Sequence, residues 1–329
     1  MLQKLLKNKK VLYAAGAVAI LAGLPIFFGN STYVMLICST IGVYAIAVSG
    51  LDILFGYSGQ ISLGHAAFYG IGAYTTSILS KNLGIHPLIT IFIGALLAMV
   101  IGMLLAFPVS NLVGHFLSLA TIAFCELVYI FVTRFPGGIT GNFTGFLGVP
   151  VVTLFDFRFS TRLSHYYLVA FFLVIFLFVK HRIVHSRIGR AFIAIRDNTH
   201  AAGGMGINTR KYKVMAFAIS AFYVGFAGSL YAHFKLYVSP EIIARTTSIL
   251  FLCMLLFGGR ASIIGPLIGA SVLTIVNESL RAASTYQLLL YGILLMLILL
   301  FMPYGIIQYF QDIKNTKIYK KVVAKLVKH

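Results

Sequence analysis

Of the 329 residues, 60% are hydrophobic and only 10% charged, with a mean hydropathy of +0.95 and a formal net charge of +19. Soluble domains carry about a quarter charged residues, so one water-facing core cannot hide this much apolar surface and lipid has to cover much of it. Nucleic-acid binding is excluded by where the cations fall: Lys and Arg sit in three tracts between or beyond apolar runs, not on a basic face interleaved with aromatics.

Apolar runs of about 20 residues, the length a helix needs to cross the hydrocarbon, recur along the chain and predict an all-α, polytopic transmembrane helical bundle. A basic segment, 1–10, precedes the first run at 11–29. Together they have the shape of a signal peptide, but the run ends in Phe27-Phe28-Gly29-Asn30 with no small-x-small cleavage site, which predicts a retained span. Further spans are expected at 34–54, 62–80, 88–108, 114–133, 165–180, 213–234, 246–258, 262–280 and 287–304, ten in all. The transmembrane domain thus covers 11–310, with one long loop at 181–212, and a basic tail occupies 311–329.

Orientation follows from the cations. Lys4, Lys7, Lys9 and Lys10 open the chain, and Lys314, Lys317, Lys320, Lys321, Lys325 and Lys328 close it. Lys180, Arg182, Arg187, Arg190, Arg196, Arg210, Lys211 and Lys213 populate the central loop against Asp197 alone. Ten spans place all three tracts on one side, which the positive-inside rule makes the cytoplasm; both termini of a multi-pass inner-membrane protein are expected there. In the tail, Ile318, Val322, Val323, Leu326 and Val327 share a helical face, so the segment is either an interfacial helix on anionic lipid or a solvated basic tail. Cys38, Cys125 and Cys253 lie singly inside apolar runs and read as buried packing residues.

The stretch Gly56 to Tyr74, GYSGQISLGHAAFYGIGAY, holds five glycines and three alanines in nineteen residues. Hydrophobicity alone would be better served by Leu. Small residues let helix backbones approach closely in lipid, which nominates Gly59, Gly64 and Gly70 as packing glycines. A break in a spanning helix is tolerated only where protein or a cavity satisfies its backbone, and Gln60, Ser62 and His65 supply donors and acceptors beside such a break. The segment therefore either lines a translocation path or packs helices closely, and the two are compatible. A second glycine-rich stretch, Gly258 to Gly265, runs into the ninth span, continues through Gly269, and offers Ser262 as its polar side chain. Both stretches enter from the same expected side, which suggests a parallel internal repeat.

Glu126 falls inside the fifth span, where a carboxylate is costly and has to face a bundle interior, a pathway or a partner charge. Glu278 and Arg281, three apart, read as a local pair. No G-x-x-x-x-G-K-[ST] motif is present for ATP. No His/Cys/carboxylate cluster suggests a metal, and no nucleophile motif suggests catalysis.

The first glycine-rich stretch resembles the signature of the branched-chain amino acid permeases of ABC importers, the LivM/LivH family, whose usual form reads GYAGQLSLGHAAFFGIGAY. In the same order, Ile139–Pro150 resembles that family's LTGGxNGLSGIP loop, Gly189–Ile207 its cytoplasmic loop, Tyr237–Glu241 its YVSPE and Gly258–Ala270 its GGxGSxxGPxxGA. The blocks span about 50–282, and the length and long loop favour the M-type subunit. The similar family motif also carries Glu at the place of Glu126. It more often has Asn at the place of Asp52, which removes the ground for an inherited role there.

The resemblance implies a permease subunit of an ABC importer for branched-chain or related amino acids. It implies no cofactor in this chain, ATP hydrolysed on cytoplasmic partner subunits, a second permease subunit and an extracytoplasmic binding protein. It also implies that the loop around Arg190, Arg196, Asp197, Ala201, Ala202 and Gly206 is the element that docks into the ATPase; otherwise the loop is a solvated basic segment that only sets topology. Asp197 or Asn198 is placed to cap a short helix, and Gly203-Gly204 departs from the helix formers usual in the family, at about 1 kcal/mol each. The alternative is an ion-coupled secondary transporter that needs no ATPase. Such proteins rely on carboxylates at mid-membrane depth, of which only Glu126 is a clear example here.

Overall fold

A computed structural model describes residues 31–110, 115–154, 157–159 and 161–280, with isolated positions between 286 and 296. The first expected span, the basic tail and Arg281 lie outside the described residues, as does nearly all of the tenth span.

Helix α1, Thr32–Asp52, starts where Ser31 Oγ accepts from the Val34 amide and continues into a π-helical turn at Ile53–Tyr57. After an extended break come α2, His65–Asn82, and α3, Pro87–Val109. α4 is His115–Thr133 and α5 is Arg162–Val184, the latter capped by Thr161. Two short helices follow, α6 at Arg187–Asp197 and α7 at Thr199–Gly204. Then come α8, Thr209–Lys235, α9, Arg245–Gly258, and α10, Gly265–Leu280.

Each expected span from 34–54 to 262–280 thus coincides with a helix. Among the described residues, five stretches, Thr32–Tyr57, α3, α4, α5 and α8, are long and apolar enough to cross a membrane. Helix α9 is apolar but only 14 residues long.

Several boundaries differ from the sequence reading by a few residues, and two of these bear on the site. The span expected at 62–80 begins at His65, because the chain from Ser58 to Gly64 is broken rather than helical. The span expected at 165–180 runs to Val184, so Lys180 is a residue of α5 and not a cation of the loop.

Helix α8 is the centre of the bundle, packed against α1, α2 and α3. Small residues make this possible: a Cβ on Gly72 of α2 would run into the Gly225 carbonyl of α8, and one on Gly228 into the Tyr69 carbonyl. Ser229 Oγ donates to the Gly72 carbonyl across that contact at 3.0 Å. Outward faces of α3 and α4 present Leu104, Phe107, Phe116, Leu127 and Phe131, as helices in contact with hydrocarbon or another subunit do. At the far end from α6 and α7, strand β1, Phe146–Leu147, pairs antiparallel with β4, Tyr237–Val238; β2, Thr153–Leu154, pairs with β3, Phe157–Arg158. Lys81 Nζ donates to the Leu147 carbonyl and His233 Nδ1 to the Pro150 carbonyl, tying the 134–161 segment to the ends of α2 and α8.

Candidate functional site

Two glycine-rich breaks meet at one end of the bundle. In the first, Gly59 sits at φ +74°, a conformation that suits glycine, and its open side lies against the Cα, Cβ and Cγ of Arg196. Gln60 Nε2 donates to Ser58 Oγ at 2.6 Å and to the Lys213 carbonyl at 3.2 Å. The Leu63 amide donates to Thr121 Oγ1, and Ser118 Oγ donates to the Ile61 carbonyl, both from α4. His65 bridges Ser62 Oγ through Nδ1 and Ser220 Oγ through Nε2, each at 2.8 Å, and the Ala66 amide reaches Ser248 Oγ at 2.9 Å. The broken backbone is therefore satisfied by α4 and by the π-turn before it, while α8 holds the Gln60 and His65 side chains and α9 the first turn of α2, as a break among spanning helices requires.

Of the residues expected along a path, Gln60, Ser62 and His65 are buried and hydrogen-bonded, with Ser62 and His65 in one network. Gly64 lies against the Thr121 carbonyl, where an added Cβ has no room, and Gly70 lies against the Ile243 side chain. Ser220 completes that network, and Ser248 and Thr121 accept from the neighbouring Ala66 and Leu63 amides. Sequence reasoning missed them because single hydroxyl residues within apolar helices carry no local pattern.

The second break runs from Gly258 to Ile264. Gly259 has φ +107° and Ala261 φ +55°, the latter an uncommon conformation for a residue with a Cβ. Ser262 Oγ accepts from the Gly265 amide at 3.2 Å, while Gly265 and Gly269 pack against the Gly259 and Met254 carbonyls.

A buried ion pair ties the second break to the end of α1, ahead of the first. Lys180 Nζ of α5 lies 2.7 Å from Asp52 Oδ2 at the end of α1, and both side chains are 0% exposed. Asp52 Oδ1 accepts from the Ala261 amide at 2.7 Å, and Lys180 Nζ also donates to the Ser262 carbonyl at 2.9 Å. Gly56, in the π-turn, has no room for a Cβ because Asp52 Oδ1 and the Ala261 amide fill that space. This corrects two sequence readings. Asp52, stripped of an inherited role, is the acceptor that holds the second break; Lys180, counted as a topology cation, is its counter-ion. Asp52 and Ala261 both depart from the residues of the similar family motifs, and the two departures touch each other.

The loop expected at 181–212 carries two helices. Asn198 caps α7, its Oδ1 accepting from the Ala201 amide at 2.9 Å, and α7 ends at Gly204 with Gly206 at φ +82°. Arg190, Arg196, Asp197, Ala201 and Gly206 are exposed, but Ala202 is fully buried and presents nothing to a partner. Arg196 pairs with Asp197 at 3.0 Å and donates from Nη1 to the Gly56 carbonyl at 3.0 Å, which ties α6 to the π-turn.

Glu126 does not point into the bundle. Its carboxylate is 42% exposed on the outer face of α4 and is paired at 2.7 Å with Arg245, the first residue of α9. Glu278 accepts from Tyr33 Oη across α1 and α10. An apolar cavity of about 630 Å³ opens between α2, α3 and α4, lined among others by Tyr74, Leu97, Ile101, Phe124 and Phe131. A smaller polar one of about 150 Å³ lies between α1, α8, α9 and α10, at Tyr44, Tyr231, Lys235, Thr274 and Glu278. None of the expected path residues lines either cavity. Among the described residues no three His, Cys, Asp or Glu side chains converge to hold a metal.

A bundle of apolar helices interrupted by two protein-satisfied glycine breaks, with a basic two-helix insertion beside them, defines a membrane permease. Residues 33–302 match the family described as the permease component of branched-chain amino acid transport systems, and the chain belongs to that family. It is 33% identical over 288 residues to the high-affinity branched-chain amino acid transport system permease protein LivM of Escherichia coli K12, covering 80% of this chain and 68% of that one. Similarity to LivH of the same organism is 27% over 282 residues, 80% and 91% of the two chains. A probable LivM of Methanocaldococcus jannaschii is 22% identical over 314 residues, 81% and 90%. No solved structure matches the chain. The chain is a multi-pass transport permease, not an enzyme.

Proposed function

We propose that the chain is the translocation subunit of an importer for branched-chain or related amino acids, driven by ATP hydrolysed on separate cytoplasmic subunits. The observation that carries this reading is the family match over 33–302 together with the likeness to LivM; the same likeness favours it over ion-coupled transport. Likeness to both LivM and LivH supports pairing with a second, related permease. An extracytoplasmic binding protein would deliver the substrate to the end that carries β1 and β4. The basic 181–212 segment and both termini would be cytoplasmic, as the three cationic tracts favour. The two breaks, each following a helix that runs toward that side, fit a parallel repeat. Glu126, unable to face hydrocarbon as an ion pair, would lie on the face shared with the second permease or the path.

Reconstitution tests this directly. Proteoliposomes holding the chain, a second permease and the ATPases should accumulate leucine when ATP and liganded binding protein are supplied, and the chain alone should not. Accumulation by the chain alone on a proton or sodium gradient would overturn the reading. Within the active complex, Ala201→Arg on the exposed face of α7 should cut binding-protein-stimulated ATPase at least tenfold without loss of thermal stability. Wild-type stimulation there would move the docking surface off α7. Ala202→Asp is unsuitable for this test, since it buries a carboxylate.

A further inference from the structure

Four segments meet at the cytoplasmic end of the bundle, and each is held to the next by a contact of charge or close packing. Gly189 of α6 packs so tightly on the Val184 carbonyl of α5 that no Cβ fits, and Ser186 Oγ caps α6 by accepting from the Ile188 and Gly189 amides. The α5–α6 corner is therefore stiff. One turn below it, Lys180 reaches Asp52 and the Ser262 carbonyl. Asp52 in turn holds Ala261 in its left-handed conformation. At the other end of α6, Arg196 grips the Gly56 carbonyl of the π-turn and underlies Gly59.

A charge pair with no exposure differs from an ordinary packing contact in how it yields. Separating Lys180 from Asp52 by a few ångström would leave two bare charges in a low-dielectric interior, so intermediate separations are disfavoured. Such a pair is either closed or fully parted, and the segments it joins move together while it is closed. π-turns and strained backbone at a break are the elements that absorb such movement.

We infer that Lys180 and Asp52 are positioning residues that clamp the second glycine-rich break, the π-turn leading into the first, and the cytoplasmic end of α5 into one body. Arg196 joins the α6–α7 segment to that body, so a displacement of the segment by an ATPase reaches both breaks at once. This rests on the proposed importer reading for the source of the displacement; the clamp itself is a matter of the contacts above.

The experiment uses the reconstituted complex with radiolabelled leucine. Removing one charge alone would strand the other, so the informative variant is Asp52→Asn combined with Lys180→Met. Asn keeps an acceptor for the Ala261 amide and Met keeps the volume of the lysine stem, which leaves the bundle packed but the clamp uncharged. This complex should assemble with its ATPases at wild-type yield. Its ratio of binding-protein-stimulated to basal hydrolysis should fall toward one, and leucine uptake should fall at least tenfold. Arg196→Ala, a change at the surface, should give the same loss with the ATPases still bound, and Arg196→Lys should restore most of it.

Wild-type uptake and stimulation in the double variant would overturn the clamp, since the pair would then only fill space. Wild-type stimulation in Arg196→Ala would overturn the link to α6. Should the double variant fail to assemble, Arg196→Ala decides alone. Failure of the unmodified complex to take up leucine with ATP would count against the importer reading instead, and is seen before any variant is made.

Discussion

The two glycine-rich breaks solve one problem with different chemistry. The first, Ser58 to Gly64, is held by neutral groups: Ser62, His65, Ser220, Thr121 and Ser248 supply hydroxyls and an imidazole from the break itself and from four helices. The second, Gly258 to Ile264, is held by the charges of Asp52 and Lys180, with backbone strain at Ala261. A neutral network loses its contacts one at a time, each modest; hydrogen bonds between membrane helices average about 0.6 kcal/mol. A buried ion pair loses everything when one partner goes, about 3–5 kcal/mol, yet can be replaced as a pair at little cost. The first break is thus built to tolerate small adjustments, the second to resist them until it gives way.

The largest effect expected from this contrast is that of Lys180→Met alone. It strands the Asp52 carboxylate in a fully buried site, and the cost of about 3–5 kcal/mol should abolish recovery of the complex from membranes. The Asp52→Asn/Lys180→Met double variant should recover it. A single variant as stable as the double one, judged by thermal unfolding of the purified complexes, would mean that the pair is solvated and not a clamp.

His65→Ala probes the neutral side. It removes both imidazole contacts and leaves Ser220 Oγ without its partner, at about 1–3 kcal/mol, but strands no charge. The complex should assemble with a lowered thermal midpoint, and Ser220→Ala should lower it less. A loss as complete as that of Lys180→Met would erase the distinction between the two breaks.

Much of this was legible in the sequence, and unevenly so. Spans announce themselves by apolar length, and the breaks by the density of Gly56, Gly59, Gly64, Gly258, Gly259 and Gly265, because composition and spacing are local properties. A helix start at Asp197 or Asn198 was legible for the same reason, and the structure selects Asn198. Lys180 was misread because it stands at the edge of an apolar run beside His181 and Arg182, where a snorkelling cation and a buried one look alike. Its partner is 128 residues away, and no spacing rule links positions brought together only by the fold. Glu126 was legible as a costly carboxylate, but its partner Arg245 opens a helix that begins after a turn, so nothing local marks the pair. Ala202 looked as available as Ala201; which of the two faces inward is set by how α7 lies on α8.

The smallest and sharpest prediction concerns the strain at Ala261. Residues other than glycine lose roughly 1–2 kcal/mol in the left-handed region, and something has to offset that cost at φ +55°. Asp52 does so through its Oδ1, since hydrogen bonds to an ionised acceptor are about twice as strong as neutral ones. If so, weakening the acceptor lets alanine leave the conformation and shed its strain, whereas glycine, which adopts the conformation freely, stays and loses the full difference in bond strength. The measurement is a cycle of four complexes: wild type, Asp52→Asn/Lys180→Met, Ala261→Gly, and all three changes together. Glycine also enlarges the unfolded ensemble and removes a methyl group, so Ala261→Gly alone has no clean sign. Both of those terms cancel in the cycle. Thermal stabilities should then show an interaction of about 0.5–1 kcal/mol, the size found for residues in contact, with the Ala261→Gly change less favourable where the clamp is uncharged. Additivity within about 0.3 kcal/mol would show that alanine keeps the left-handed turn without the charged acceptor, so that packing around Gly258 and Gly265 is enough to hold it.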